Sequence, residues 1–182
     1  MLRKVSNFYI LNNVSSFIKG ACIFLFILLI NASSAFAIIN SDINKKPLPR
    51  FASVKFEEVN VRFGPGKNYP IKYLLKRKNM PVKIVKEFDN WYLIEMVDAS
   101  DAWIHKSQLS GNRYGFVNIG GYAKLYESRE DETIVAKVGN GNVIKIDKCS
   151  IDSAFCEISI KGVSGYLKKQ DFFGLLDGEK VN

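Results

Sequence analysis

Short runs of alternating apolar and polar residues recur along the chain, as in "VNVRF" (59–63) and "AKLYE" (123–127). Val, Ile, Tyr, Phe and Trp carry the alternation, and Asn, Asp and Gly punctuate it. A period of two with these residue types predicts short antiparallel strands, and no long helical pattern interrupts them. The pattern repeats. Aligning Val61 with Leu125 brings Trp91 onto Phe155 and Val85 onto Cys149 without a gap, and one later deletion brings Trp103 onto Tyr166 and Gly111 onto Gly174. Each unit of about 60 residues runs from its alternating stretch through a turn and an aromatic-led strand to a closing "DAWIHKSQLSG" (101–111) or "SGYLKKQDFFG" (164–174). Val59, Val61, Ile84, Leu93 and Ile104 are expected to face a first core, and Leu125, Ile144, Ile146, Ile158 and Leu167 a second.

The turn Gly64-Pro65-Gly66-Lys67 raises the question of a phosphate cradle. A Walker-type loop needs a glycine five positions before the Gly-Lys pair and a hydroxyl after it, but Val61 and Asn68 stand there. Pro65 also removes a backbone donor, so the stretch reads as a strand-to-strand turn.

"VNVRFGPGKNYPIKYLLKRKNMPVKIVKEFDNWYLIEMVDASDAWIHKSQLSG" (59–111) resembles the bacterial SH3-like (SH3b) domain. That family is marked by a V-N-V-R-x-G-P-x-x-x-Y-P opening, carried here by Asn60, Arg62, Gly64, Pro65 and Gly66, with a central aromatic-led strand and a closing G-W-V/I strand. Ala102 departs from the glycine usual before the closing aromatic. The second unit resembles a degenerate copy, with Tyr126, Ser128 and Arg129 in place of the arginine, glycine and proline. The resemblance implies an all-β chain of two tandem small SH3-like β-barrels: domain 1 over 51–111 and domain 2 over 112–176. A leader (38–50) precedes them and a tail (177–182) follows.

The first residues change the setting. Arg3, Lys4 and Lys19, the apolar run Ala21–Ile30, and Ala35-Phe36-Ala37 read as a signal peptide over 1–37 cleaved after Ala37, with retention as an N-terminal anchor the alternative. The run falls short of the roughly 18 residues that a membrane span needs. Cys22 lies near the start of the run rather than at the cleavage point where a lipid-modified cysteine belongs. Cleavage removes three bases and no acid, lowering the formal charge from +8 to +5 (23 bases against 18 acids). A secreted or periplasmic protein of this charge points to anionic envelope material and away from nucleic acid, although modest positive charge also serves solubility alone. No integral membrane span is expected after cleavage.

Export also permits disulfides. Cys149 and Cys156 flank "SIDSAF" between two β-prone stretches, which predicts a disulfide across a hairpin mouth. Two thiols and the single His105 are too few for a closed zinc site, so no metal or cofactor is expected. His105 and Ser107 fall on one side of a strand pattern, but no acid is identifiable to orient them, and the carboxylates are scattered. The chain is therefore expected not to be an enzyme. Two function classes stay open. One is binding of peptidoglycan or another anionic wall polymer in a groove of Tyr69, Tyr73, Trp91 and Trp103 beside Lys72, Lys76, Arg77 and Lys78, although each of those aromatics taken singly reads rather as a cover for a barrel end. The other is a protein-interaction or scaffold role.

Overall fold

The computed structural model describes residues 46–130 and 132–182. The expected signal peptide (1–37) and most of the expected leader (38–50) lie outside the described residues. Arg50–Val54 (β1), Val59–Arg62 (β2), Ile71–Leu75 (β3), Pro81–Phe88 (β4), Trp91–Glu95 (β5), Asp101–His105 (β6) and Leu109–Ser110 (β7) pair antiparallel in the order β3-β2-β6-β5-β4-β1-β7. Tyr114–Val117 (β8), Tyr122–Tyr126 (β9), Ile134–Gly139 (β10), Val143–Cys149 (β11), Phe155–Ile160 (β12), Val163–Lys168 (β13) and Phe172–Phe173 (β14) repeat that order as β10-β9-β13-β12-β11-β8-β14. Among the described residues the only helical pieces are the 3-10 turns Lys106–Gln108 and Lys169–Asp171, at the same place in each repeat.

The expectation of two barrels is corrected in one respect: neither sheet is closed. Among the described residues edge strand β3 has no partner on its far side, and the two-residue β7 at the other edge spends its two residue pairs on β1. The seam between β2 and β6 is a single pair, Arg62 with Trp103.

Alternation fills the two cores much as the pattern predicts. Val59, Val61, Ile84 and Ile104 are buried in the first, and Leu125, Ile144, Ile146, Ile158 and Leu167 in the second. Leu93 is the exception. In β5 the register sets Ile94 against Ile84 and Ala102, both core-facing, so Ile94 turns inward and Leu93 outward with Trp103. Both β4 and β11 carry a bulge, between Ile84 and Lys86 and between Ile146 and Lys148.

Cys149 and Cys156 oppose each other with Cα atoms 4.5 Å apart and sulfurs at bonding distance, the spacing of a non-hydrogen-bonded cross-strand pair. The main chain of Cys149 turns the other way and exchanges two hydrogen bonds with Val181 (2.9 and 3.1 Å). The gapless match of Cys149 to Val85 does not hold in space. Glu87 pairs with Tyr92 as Cys149 pairs with Cys156, so Cys149 stands at the place of Glu87, because the β11–β12 connection is two residues longer.

The stretch 177–182, expected as a tail, is anchored to the second core through Val181. Val181 is buried there, and Glu179 accepts hydrogen bonds from both Arg113 Nη atoms and from the Leu176 N–H. Burial alone would raise the Glu179 pKa, but the hydrogen bonds from Arg113 and Leu176 and the charge of Arg113 outweigh it and hold the carboxyl below its ordinary value. Glu179 therefore contributes stability that is present above the ordinary carboxylate pKa and lost as pH falls through the lower folded value. Hydrogen exchange should show the Cys149 and Val181 amides losing protection below about pH 4.5 before the β4–β5 amides do, with Glu179→Gln removing the pH dependence.

Lys46–Asn182 form one compact unit. Phe51 of β1 meets Phe173 of β14 edge to face at 5.0 Å, with the Arg113 guanidinium 5.9 Å from the Phe51 centroid. Ser53 Oγ donates to the Asn112 carbonyl (2.9 Å), and Arg77 Nη1 to the Gly141 carbonyl (2.6 Å).

Candidate functional site

Because Val61 and Ile104 point into the core, alternation sends Asn60, Arg62, Trp103 and His105 to the opposite, outer face of the first sheet. Register brings Trp91 beside His105 and Leu93 beside Trp103 on that face. The Trp91 and His105 rings meet edge to face with centroids 5.3 Å apart. A polar cleft of ≈ 380 Å³ opens there, lined by Glu58, Asn60, Arg62, Lys67, Trp91, His105, Ser107 and Gln108.

His105 caps the 3-10 turn Lys106–Gln108: its Nδ1 accepts from the Ser107 backbone N–H (3.3 Å) and lies 2.7 Å from Ser107 Oγ. The main-chain donor fixes Nδ1 as an acceptor and leaves the proton on Nε2. The lone pair that would take a proton from Ser107 is thus shared with the backbone, and among the described residues no carboxylate hydrogen-bonds the imidazole. What the cleft offers is a buried indole floor, an Nε2 donor, an amide and hydroxyl rim, and the charges of Arg62 and Lys67 opposite Glu58. This is equipment for holding a polar chain that has one flat apolar face. No group of three or more His, Cys, Asp or Glu side chains able to hold a metal occurs among the described residues.

The turn Gly64-Pro65-Gly66 positions one wall. A Cβ on Gly64 would sit 2.2 Å from the Tyr69 ring, so glycine is required for that ring to fold back over the turn. Arg62 Nη1 donates to the Tyr69 carbonyl (2.7 Å), tying the end of β2 to the far side of the loop.

The expected site residues are not gathered into one groove. Trp91 lines the cleft and Trp103 shares its face, while Tyr69 stands half exposed on the turn. Tyr73 packs against the first core, and its hydroxyl donates to the Asp101 carbonyl (3.2 Å). The basic segment splits. Lys72 pairs with Asp101 (2.9 Å), Lys76 lies 3.9 Å from Glu58, Arg77 reaches the second repeat, and Lys78 faces another pocket. His105, Ser107, Gln108, Glu58 and Lys67 are cleft residues outside the expected set. The shared side of His105 and Ser107 was legible in the alternation; the pairing of His105 with Trp91 was not, because it depends on the turn joining β5 and β6.

The second repeat fills the equivalent face with its own side chains. Phe155, at the place of Trp91, packs edge to face on Tyr126 at 5.7 Å, and Arg129 covers the Tyr166 ring at 5.6 Å. A larger groove of ≈ 640 Å³ runs between the repeats, but its two arginines are already paired, Arg50 with Glu87 and Arg113 with Glu179.

No curated protein matches the chain. Among solved structures it is similar to NlpC2 from Trichomonas vaginalis (18% identity, TM-score 0.32, covering 71% of this chain and 49% of that one). It is also similar to NlpC1 from the same organism (17%, TM-score 0.31, covering 70% and 46%). The chain thus spans about half the length of these structures, and likeness at that level carries no argument about function. Within the sequence, residues 55–111, which hold the entire cleft, match the family model of the bacterial SH3 domain.

Proposed function

We propose that this is an exported, noncatalytic cell-envelope module that holds peptidoglycan or another anionic wall polymer in the outer-face cleft of its first repeat. The observation that carries the reading is the cleft itself: Trp91 and His105 form its floor, and Arg62, Lys67, Asn60 and Gln108 rim it, inside the segment that matches the bacterial SH3 domain. Such domains suggest a cell-wall-associated role, and secretion is supported by the Cys149–Cys156 pair. Among the described residues no helix is long and apolar enough to cross a membrane. The second repeat is read as a degenerate copy on its matching strand order, with its equivalent face closed by Tyr126, Phe155 and Arg129.

Sedimentation of the full chain with isolated sacculi tests the reading. Lys67→Gln combined with Gln108→Ala should weaken binding severalfold and flatten its salt dependence, as expected for exposed rim contacts. Wild-type binding by that double variant overturns it.

One observation favours a second reading, a protein-interaction role. Phe63 is 62% exposed and Ile71 49%, on and beside the unpaired edge of β3, where an extended partner segment can add a strand. Capture by an envelope protein that survives high salt and is lost in Phe63→Ser would support it over the wall polymer.

A further inference from the structure

A second concave site lies where the repeats meet, on the outer face of the second sheet. Register sets Tyr114, Lys145 and Ser159 side by side across β8, β11 and β12. Since Ile144, Ile146 and Ile158 face the core, this row faces outward. The tight β12–β13 turn supplies Lys161 and Gly162, both with left-handed backbone (φ 48° and 83°), and Lys161 extends from the end of the row.

The opposite wall comes from the first repeat. Arg77 donates to the Gly141 carbonyl (2.6 Å) and stacks on the Phe116 ring (5.9 Å), which pins the β3–β4 turn against β8 and β11. Asn79 takes a left-handed conformation (φ 64°) and bonds through its N–H to the Val54 carbonyl, so Lys78 and Asn79 are held over the row. The result is a pocket of ≈ 420 Å³ lined by Lys78, Asn79, Tyr114, Asn142, Lys145 and Ser159, with Lys161 at its rim.

Three lysines line this pocket and no acid does. Asp147 pairs with Lys145 at 2.6 Å from outside it, while Lys78 and Lys161 have no ion-pair partner among the described residues. The charge has a wider source as well: residues 59–86 contain eight Lys and Arg and no Asp or Glu. Two unpaired ammonium groups on facing walls, with hydroxyl and amide donors between them, suit repeated oxyanions better than one planar carboxylate, for which an arginine fork would be the matched partner.

We propose that this junction between the repeats is a binding site for the oxyanion groups of a flexible polyanion, phosphate or carboxylate, that only both repeats together can form. The site shares no residue with the outer-face cleft, so the two assignments fail independently.

Titration calorimetry on the full chain with inorganic tripolyphosphate, and separately with trigalacturonate, tests it and distinguishes the two anion sources. The wild type should bind at least one of them saturably at low salt. Lys78→Gln with Lys161→Gln should weaken that binding severalfold, as the loss of two exposed charge contacts implies. The charge-matched variant Lys124→Gln with Lys180→Gln, both exposed elsewhere, should bind as the wild type does. Equal weakening in the two variants would reduce the effect to net charge and overturn the site, as would failure of both probes to bind.

Discussion

Replacing Cys149 and Cys156 with serine is expected to destabilise the second repeat by about 2–3 kcal/mol, the range for closing a short loop, and to leave the first repeat's local order intact. Three features meet at this pair. The two cysteines are buried in the second core, they face each other across the β11–β12 mouth, and the backbone of Cys149 carries the bridge to Val181. Losing the link therefore loosens the hairpin mouth and the Val181 bridge together. Both tryptophans, Trp91 and Trp103, lie in the first repeat, so their fluorescence reports that half, while amide exchange at Cys156, Ile158 and Val181 reports the other. Exchange should accelerate at those three positions at denaturant concentrations where the tryptophan signal is still native. Unchanged protection there would mean that the link contributes nothing.

Phe51→Ala is expected to have the largest single-residue effect, about 3 kcal/mol or more, because a buried aromatic is removed and the space is not readily refilled. Phe51 is only 8% exposed, yet it belongs to neither hydrophobic core: it fills the contact between repeats, against Phe173 and under Arg113. Its loss should split one unfolding transition into two, the tryptophan signal separating from far-ultraviolet circular dichroism. Persistence of a single transition with only a small shift would show that the repeats are coupled by other contacts, such as Arg77 with Gly141.

Much of this architecture was legible in the chain. The period-two pattern announced short strands and placed nine of its ten named core residues correctly, and the internal repeat anticipated the shared strand order, because alternation reports which face is buried without reference to distant partners. Register was less accessible. Leu93 and Ile94 are both apolar neighbours, and only pairing with Ile84 and Ala102 decides which of them turns inward. The match of Cys149 to Val85 failed because two extra residues in a turn leave no periodic trace. Of the residues named for a groove, Trp91 lines the outer-face cleft and Trp103 shares its face. Nearness along the chain misled for Lys72, Lys76, Arg77 and Lys78: successive residues on a strand and its turn point apart, and Arg77 serves the contact between repeats. Replacing that lysine and arginine run as a block would therefore disturb the junction as well as the charge.

Nuclear magnetic resonance of the isotope-labelled full chain can decide whether the outer-face cleft of the first repeat holds an envelope polymer. On addition of soluble peptidoglycan fragments, the Trp91 indole and the backbone amides of Asn60, Lys67 and Ser107 should shift together and saturate at one concentration, while those of Tyr126 and Phe155 on the filled face of the second repeat stay still. Shifts at Tyr126 and Phe155 without any at Trp91, or no saturable shift anywhere, would contradict the account.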